Sequence, residues 1–183
     1  MSIATATATR TTWKIDPVHS HIEFAVRHLM ISTVKGRFGG VEGTVVMDGS
    51  DPTRAEVDVT IDVNSIDTRE GQRDTHLKSA DFFDAEKHPH IHFKSRSVTG
   101  VSGDTFKLTG DLTIHGVTRQ VALDVTEEGR GKDPWGGERA GFSATGKIKR
   151  SDFGLTWNQI LEAGGVAVGD DVKISLDLEI VKT

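Results

Sequence analysis

A chain of 183 residues, 36% hydrophobic and 27% charged, has the size and composition of one globular domain, since all-β barrels of this length fold as single units. A net charge of −5 argues against a nucleic-acid binder, which carries a basic face, and no apolar run approaches the ~18 residues of a membrane-spanning helix. The lack of cysteine excludes a disulfide framework, a thiolate metal site and a cysteine nucleophile.

The opening MSIATATATRTT is rich in Ala and Thr and has no periodicity, so a disordered tail is expected over residues 1–12, ahead of a single domain over 13–183. It shows neither the basic nor the apolar segment of a secretory signal, and the expected location is cytoplasmic. From Trp13 onward apolar and polar residues alternate. In His21–Leu29, Ile22, Phe24, Val26 and His28 share one face. In Arg54–Ile66, Ala55, Val57, Val59, Ile61 and Val63 alternate with Glu56, Asp58, Thr60, Asp62 and Asn64. Period-2 alternation marks strands with one buried and one wet face.

Between Asp67 and Asp84 the alternation stops and a short helix is expected. Asp67 or Thr68 is its cap, Glu70 lies in its first turn, and Leu77 and Ala80 form its buried face. Alternation resumes after Pro89 and runs through Phe106, Leu108, Leu112 and Ile114, then Val121, Leu123 and Val125. It continues in Phe142, Ala144 and Ile148 and ends with Ile174, Leu176, Leu178 and Ile180. Asp48-Gly49, Gly100–Gly103, His115-Gly116 and Asp133–Gly137 supply the turns, with His115-Gly116 fitting a two-residue hairpin. The glycine-rich stretch Ser151–Asp170, carrying Trp157, is a second irregular segment, and both irregular segments are candidate lids. The fold class is all-β: an antiparallel eight-stranded barrel with one short helix after the fourth strand. Closure is favoured because it leaves no exposed edges.

His88, His90 and His92 alternate, so in a strand the outer two would stand ~13 Å apart, beyond the reach of one ion with ~2.0 Å bonds. They are expected to face water beside Lys94 and Arg96, and no metal site is assigned. His28 differs in sharing the inward face, as a core histidine or as a polar group inside a cavity. Gly100-Val101-Ser102-Gly103-Asp104 lacks the last glycine of a nucleophile elbow and falls in a turn, and no phosphate-binding glycine loop precedes a helix. Nothing in the sequence requires an enzyme. The inward residues are nearly all apolar, a pattern that suits a filled core and a hollow barrel equally.

Several ordered motifs carry more than their physics. Trp13-Lys14-Ile15-Asp16-Pro17-Val18-His19-Ser20, Val34-Lys35-Gly36-Arg37-Phe38 and Asn64-Ser65-Ile66-Asp67-Thr68 resemble segments of the YceI family. So do Arg73-Asp74 with His76-Leu77, Asp81-Phe82-Phe83-Asp84, Leu112-Thr113-Ile114-His115-Gly116-Val117-Thr118 and Arg150-Ser151-Asp152-Phe153-Gly154-Leu155. The resemblance implies a lipocalin-like barrel that binds a long-chain isoprenoid lipid, such as a polyprenyl diphosphate or an isoprenoid quinone, without being an enzyme. It also implies a homodimer, and many members are exported. On this reading the tail lies against Phe24, Val26, Phe38, Val59, Ile61, Phe93, Leu112, Ile114 and Phe142. Phe82, Phe83 and Trp157 lie near the mouth, and the head group meets His28, Arg37, Asn64 or Arg150. The alternatives are a metal-dependent enzyme using the histidine-rich strand and a stress-related protein with a filled core.

Overall fold

The computed structural model describes residues 9–49 and 51–183. Its elements are β1 (Arg10–Ile15), β2 (His21–His28), β3 (Ser32–Phe38), β4 (Val41–Asp48), β5 (Asp51–Asp62), β6 (Ile66–Asp67), α1 (Gly71–Lys78), β7 (His90–Ser102), β8 (Thr105–Ile114), β9 (Val117–Lys132), β10 (Glu138–Lys149) and β11 (Val168–Lys182). Most of the expected tail lies outside the described residues. Its last part does not behave as one, because Arg10–Thr12 pair with Val46–Asp48 as the start of β1.

All strand pairs are antiparallel, and the ring β1-β4-β5-β7-β8-β9-β10-β11 closes through β1–β11, giving an eight-stranded barrel. β11 makes that closure possible because it is long enough to pair with β2 along Val168–Asp177 and with β1 along Ile180–Lys182. β1 and β2 therefore act as one bent strand, as do β3 and β4, which are joined at Gly39-Gly40. β6 extends β5 beyond a 3-10 turn at Val63–Ser65. Counted as continuous strands, the helix follows the third and not the expected fourth, since pieces that read separately in sequence join across these kinks. Among the described residues no helix is long and apolar enough to cross a membrane.

The two barrel ends differ. One gathers the β2–β3 turn, residues 68–89 with α1, the His115-Gly116 turn and residues 150–167. The other gathers the β4–β5, β7–β8 and β9–β10 turns. His115 (φ 54°) and Gly116 (φ 73°) are both left-handed, so the expected two-residue hairpin is a type I′ turn.

The helix cap is Glu70, whose carboxylate accepts from the Gln72 and Arg73 amides at 3.1 and 2.6 Å. Thr68, expected as the cap, is instead buried and holds the helix to the barrel. Its amide and hydroxyl donate to Asp74 Oδ1 at 2.9 and 2.6 Å, while Arg73 donates to its hydroxyl and carbonyl at 2.7 and 2.8 Å. Ala80, expected on the buried face, is exposed because the helix ends at Lys78; Phe82 and Ala85 take the buried positions.

Candidate functional site

The barrel is hollow. A cavity of about 290 Å³ runs inside it, at the lower end of the ~300–1,000 Å³ range of small-molecule sites. β10 explains why there is space. Its inward series is Ala140, Phe142, Ala144, Gly146 and Ile148, facing Ile180, Leu178, Leu176, Ile174 and Val172 of β11. Of the three small residues only Ala144 borders the cavity, opposite Leu176; the space at Gly146 is taken by Leu123, whose Cδ2 would lie 2.6 Å from an added Cβ. The β11 side chains named, except Ile180, are only half-buried although they point inward. Two further inward glycines let aromatic rings lie against the wall. A Cβ at Gly36 would sit 2.3 Å from Phe24 Cζ, and one at Gly110 would sit 2.4 Å from Phe93 Cζ.

Lining residues on β11 extend from Val168 to Ile180, a span of about 30 Å along the axis at ~3.3 Å per residue and ~40° tilt. So little volume over such a length makes a narrow bore, one extended chain wide. Phe24, Val26, Phe38, Val59 and Ile61 line it, as do Phe82, Phe83, Phe93, Leu112, Ile114 and Phe142. Val57, Phe106 and Leu176 lie beside them, and their alternation was open to the same reading.

The polar residues expected at a head group are placed otherwise. His28 is exposed and outside the cavity, because it is the last residue of β2, at the β2–β3 turn beyond the lining residue Val26. Arg37 follows an inward glycine, so it points outward, where it pairs with Asp67 at 3.1 Å. Asn64 is exposed in the 3-10 turn. Arg150 is at the wall, but its guanidinium donates to the carbonyls of Gly169, Leu155, Trp157 and Val168 at 2.7–3.2 Å. It ties the 150–168 segment together with four of its five N–H donors.

Trp157 does not line the cavity. It packs against Phe82 and His76 with ring centres 5.3 and 4.8 Å apart, so the two candidate lids meet and form a plug. Phe83 stacks edge-on against Phe38 at 6.0 Å beneath it. The cavity continues instead toward the opposite rim, where its lining includes the exposed residues Gly49, Asp51 and Arg130. Arg130 bonds Glu127 at 2.5 Å, and its Nη2 lies 3.6 Å from Met47 Sδ. Sequence reasoning missed this pair for a physical reason. Gly141 faces Gly129 while Phe142 faces Glu127, so Glu128 is bulged out and Glu127 and Arg130 both turn inward.

The alternating histidines do not converge. His90 is exposed, His92 bonds Asp58 at 2.7 Å, and His88 precedes the strand and turns toward His115. On the outer wall Arg139 joins Asp16, Asp133 and Glu179 at 2.8, 2.9 and 2.5 Å. The Asp16 carboxyl is held down to about 2, first by its bond to His19 and then by Arg139.

The YceI-like domain of known families matches residues 13–180. Protein YceI of Salmonella newport (strain SL254) is 44% identical over 154 residues, covering 83% of this chain and 80% of its own length. A UPF0312 protein of Pectobacterium atrosepticum is 46% identical over 138 residues, covering 75% and 71%. Among solved structures, Burkholderia cenocepacia BcnA superimposes with a TM-score of 0.79 at 25% identity, covering 90% of this chain and 98% of its own. The Campylobacter jejuni YceI protein gives 0.70 at 35% identity over 86% and 90%. A polyisoprenoid binding domain from Saccharophagus degradans, implicated in plant cell wall breakdown, gives 0.69 at 16% identity over 94% and 99%, a likeness of fold.

Proposed function

This chain belongs to the YceI-like family, and from that premise we propose that it binds, stores or carries a long-chain isoprenoid lipid, a polyprenyl diphosphate or an isoprenoid quinone, in its barrel. The observation that carries the reading is the narrow apolar bore, plugged at one end by Phe82, Phe83 and Trp157 and reaching exposed residues at the other. A single extended chain fits such a space, and each methylene moved out of water contributes ~0.8 kcal/mol. The neighbour of known binding class shares this barrel, which supports the same class of ligand here. The head group sits at the rim beside Arg130, whose guanidinium suits a diphosphate or a quinone carbonyl once its bond to Glu127 is shared. The protein acts as a homodimer, for which the exposed Leu29, Met30, Ile31 and Ile160 offer an apolar surface at the plugged end.

The test is mass spectrometry of organic-solvent extracts from gently purified protein. A long-chain isoprenoid at near one per chain is the expected result. Extracts holding no long-chain lipid, together with failure to take up a polyprenyl diphosphate or a quinone in solution, would end this reading.

A further inference from the structure

Three histidines are paired with carboxylates: His19 with Asp16, His76 with Asp81 and His92 with Asp58. Three more, His21, His28 and His90, are exposed. The remaining two are together. His88 and His115 are half-buried, and their rings stand 5.0 Å apart at 69°. Asp84 completes the group, with one ligand-capable atom each of Asp84, His88 and His115 lying within 4.8 Å of the others.

Local structure forces this meeting. The His88 amide donates to the Asp84 carbonyl at 2.8 Å, closing one turn of chain that begins at Asp84 in the left-handed region (φ 49°) and brings the two residues together. His115 arrives from the type I′ turn between β8 and β9. Two glycines leave room for the rings: a Cβ at Gly116 would lie 2.8 Å from His88 Cε1, and one at Gly154 would lie 3.3 Å from His115 Nδ1.

We propose that Asp84, His88 and His115 bind a divalent transition-metal ion of the zinc class, which staples the segment after α1 to the β8–β9 turn within the plugged end. Two imidazoles on one tetrahedral ion, each bonded at ~2.0–2.1 Å, place their ring centres about 5 Å apart, as found here. Two nitrogens and one carboxylate oxygen favour zinc, nickel or copper over magnesium and calcium. The cation nearest the carboxylate, Lys87, is 3.8 Å from Asp84 and 77% exposed, so it is easily displaced. The other carboxylate–imidazole group, Asp16 with His19 and Glu179, makes a useful contrast. There the Arg139 guanidinium already lies against both carboxylates, and a metal cation would meet a positive charge.

The test is calorimetric titration of the chelator-stripped 183-residue chain with zinc chloride and, separately, magnesium chloride, with thermal unfolding measured with and without zinc. One zinc per chain and a higher Tm are expected, because an ion that binds only the folded state stabilises it. His115→Asn keeps the turn, since Asn-Gly is the favoured type I′ pair, and His88→Gln keeps the side chain's bulk. Each variant should weaken zinc binding by more than about tenfold and abolish the Tm rise, with an unchanged circular dichroism spectrum. A His90→Gln, His92→Gln variant should bind zinc as the parent does. The proposal falls if the parent takes up no stoichiometric zinc or binds magnesium equally well. It also falls if His88→Gln and His115→Asn leave binding intact, or if binding is lost in the His90→Gln, His92→Gln variant.

Discussion

Arg150 enters the wall of an apolar cavity without a carboxylate partner in bonding distance, and four main-chain carbonyls take its donors. Burial pushes its acidity constant below the ordinary arginine value, while the charge of Asp170 acts the other way. Its motif in the sequence marks a fastening of the 150–168 segment at the cavity wall. On the outer wall, Asp16 and His19 shift in opposite directions through one shared hydrogen bond: Asp16 falls from 3.8 to about 2, and His19 rises above 6.5. The lowered carboxyl stabilises the fold fully above ~3.8, and that contribution is lost as pH falls through about 2. The raised imidazole stabilises fully below 6.5, and its contribution is lost as pH rises through its folded value. Asp16→Asn should therefore cost most stability near pH 5, less at pH 8.5 and little near pH 2. Denaturant unfolding of both proteins at the three pH values measures this, and a difference independent of pH would contradict it.

At the level of elements, α1 is a weak helix made useful by its fastening. It has eight residues, no buried side chain among them, and only Leu77 facing the cavity, so its own sequence does little to hold it in place. Buried Thr68 does that through Asp74 and Arg73. Asp74→Ala removes two bonds to Thr68 and should cost about 2 kcal/mol, felt mainly at the plug. Hydrogen exchange should speed up over residues 71–85 while β8–β10 keep their protection, and a bound lipid should leave faster. Uniform loss of protection over the whole barrel would show that the helix belongs to the core and not to a separable cap. The helix was legible as a break in alternation. Its cap and buried face were not, because Thr68 and Ala80 take their roles from the barrel rim and from where the helix ends.

Across the whole molecule, hollowness is a property of facing strands, and on β10 it is Ala144, opposite Leu176, that leaves space in the bore. Ala144→Phe should put a ring into the bore, lowering lipid loading by about tenfold or more with little loss of Tm, since the added bulk occupies space already empty. Lipid quantified per chain after refolding with excess polyprenyl diphosphate checks this. Undiminished loading would mean that the ligand lies elsewhere. A large drop in Tm would mean that the gap beside Ala144 is too small to hold a phenyl ring.

The amino-acid order alone determined the all-β class, the inward faces of most strands and the His115-Gly116 turn, because alternation and turn chemistry are local and survive without knowledge of partners. Phe24, Phe38, Phe93, Leu112 and Phe142 could be placed on the inside for that reason. Only the tertiary structure decided that the interior is empty, since a void is a sum over facing strands and no single strand reports it. It also decided that Arg37 and His28 miss the cavity, that the bulge at Glu128 turns Arg130 into the rim, and that Asp84, His88 and His115 meet. Each of these depends on register, on where a strand ends or on contact across the fold. A shift of one residue in a strand reverses which face a side chain takes, and that shift is set by the neighbouring strand.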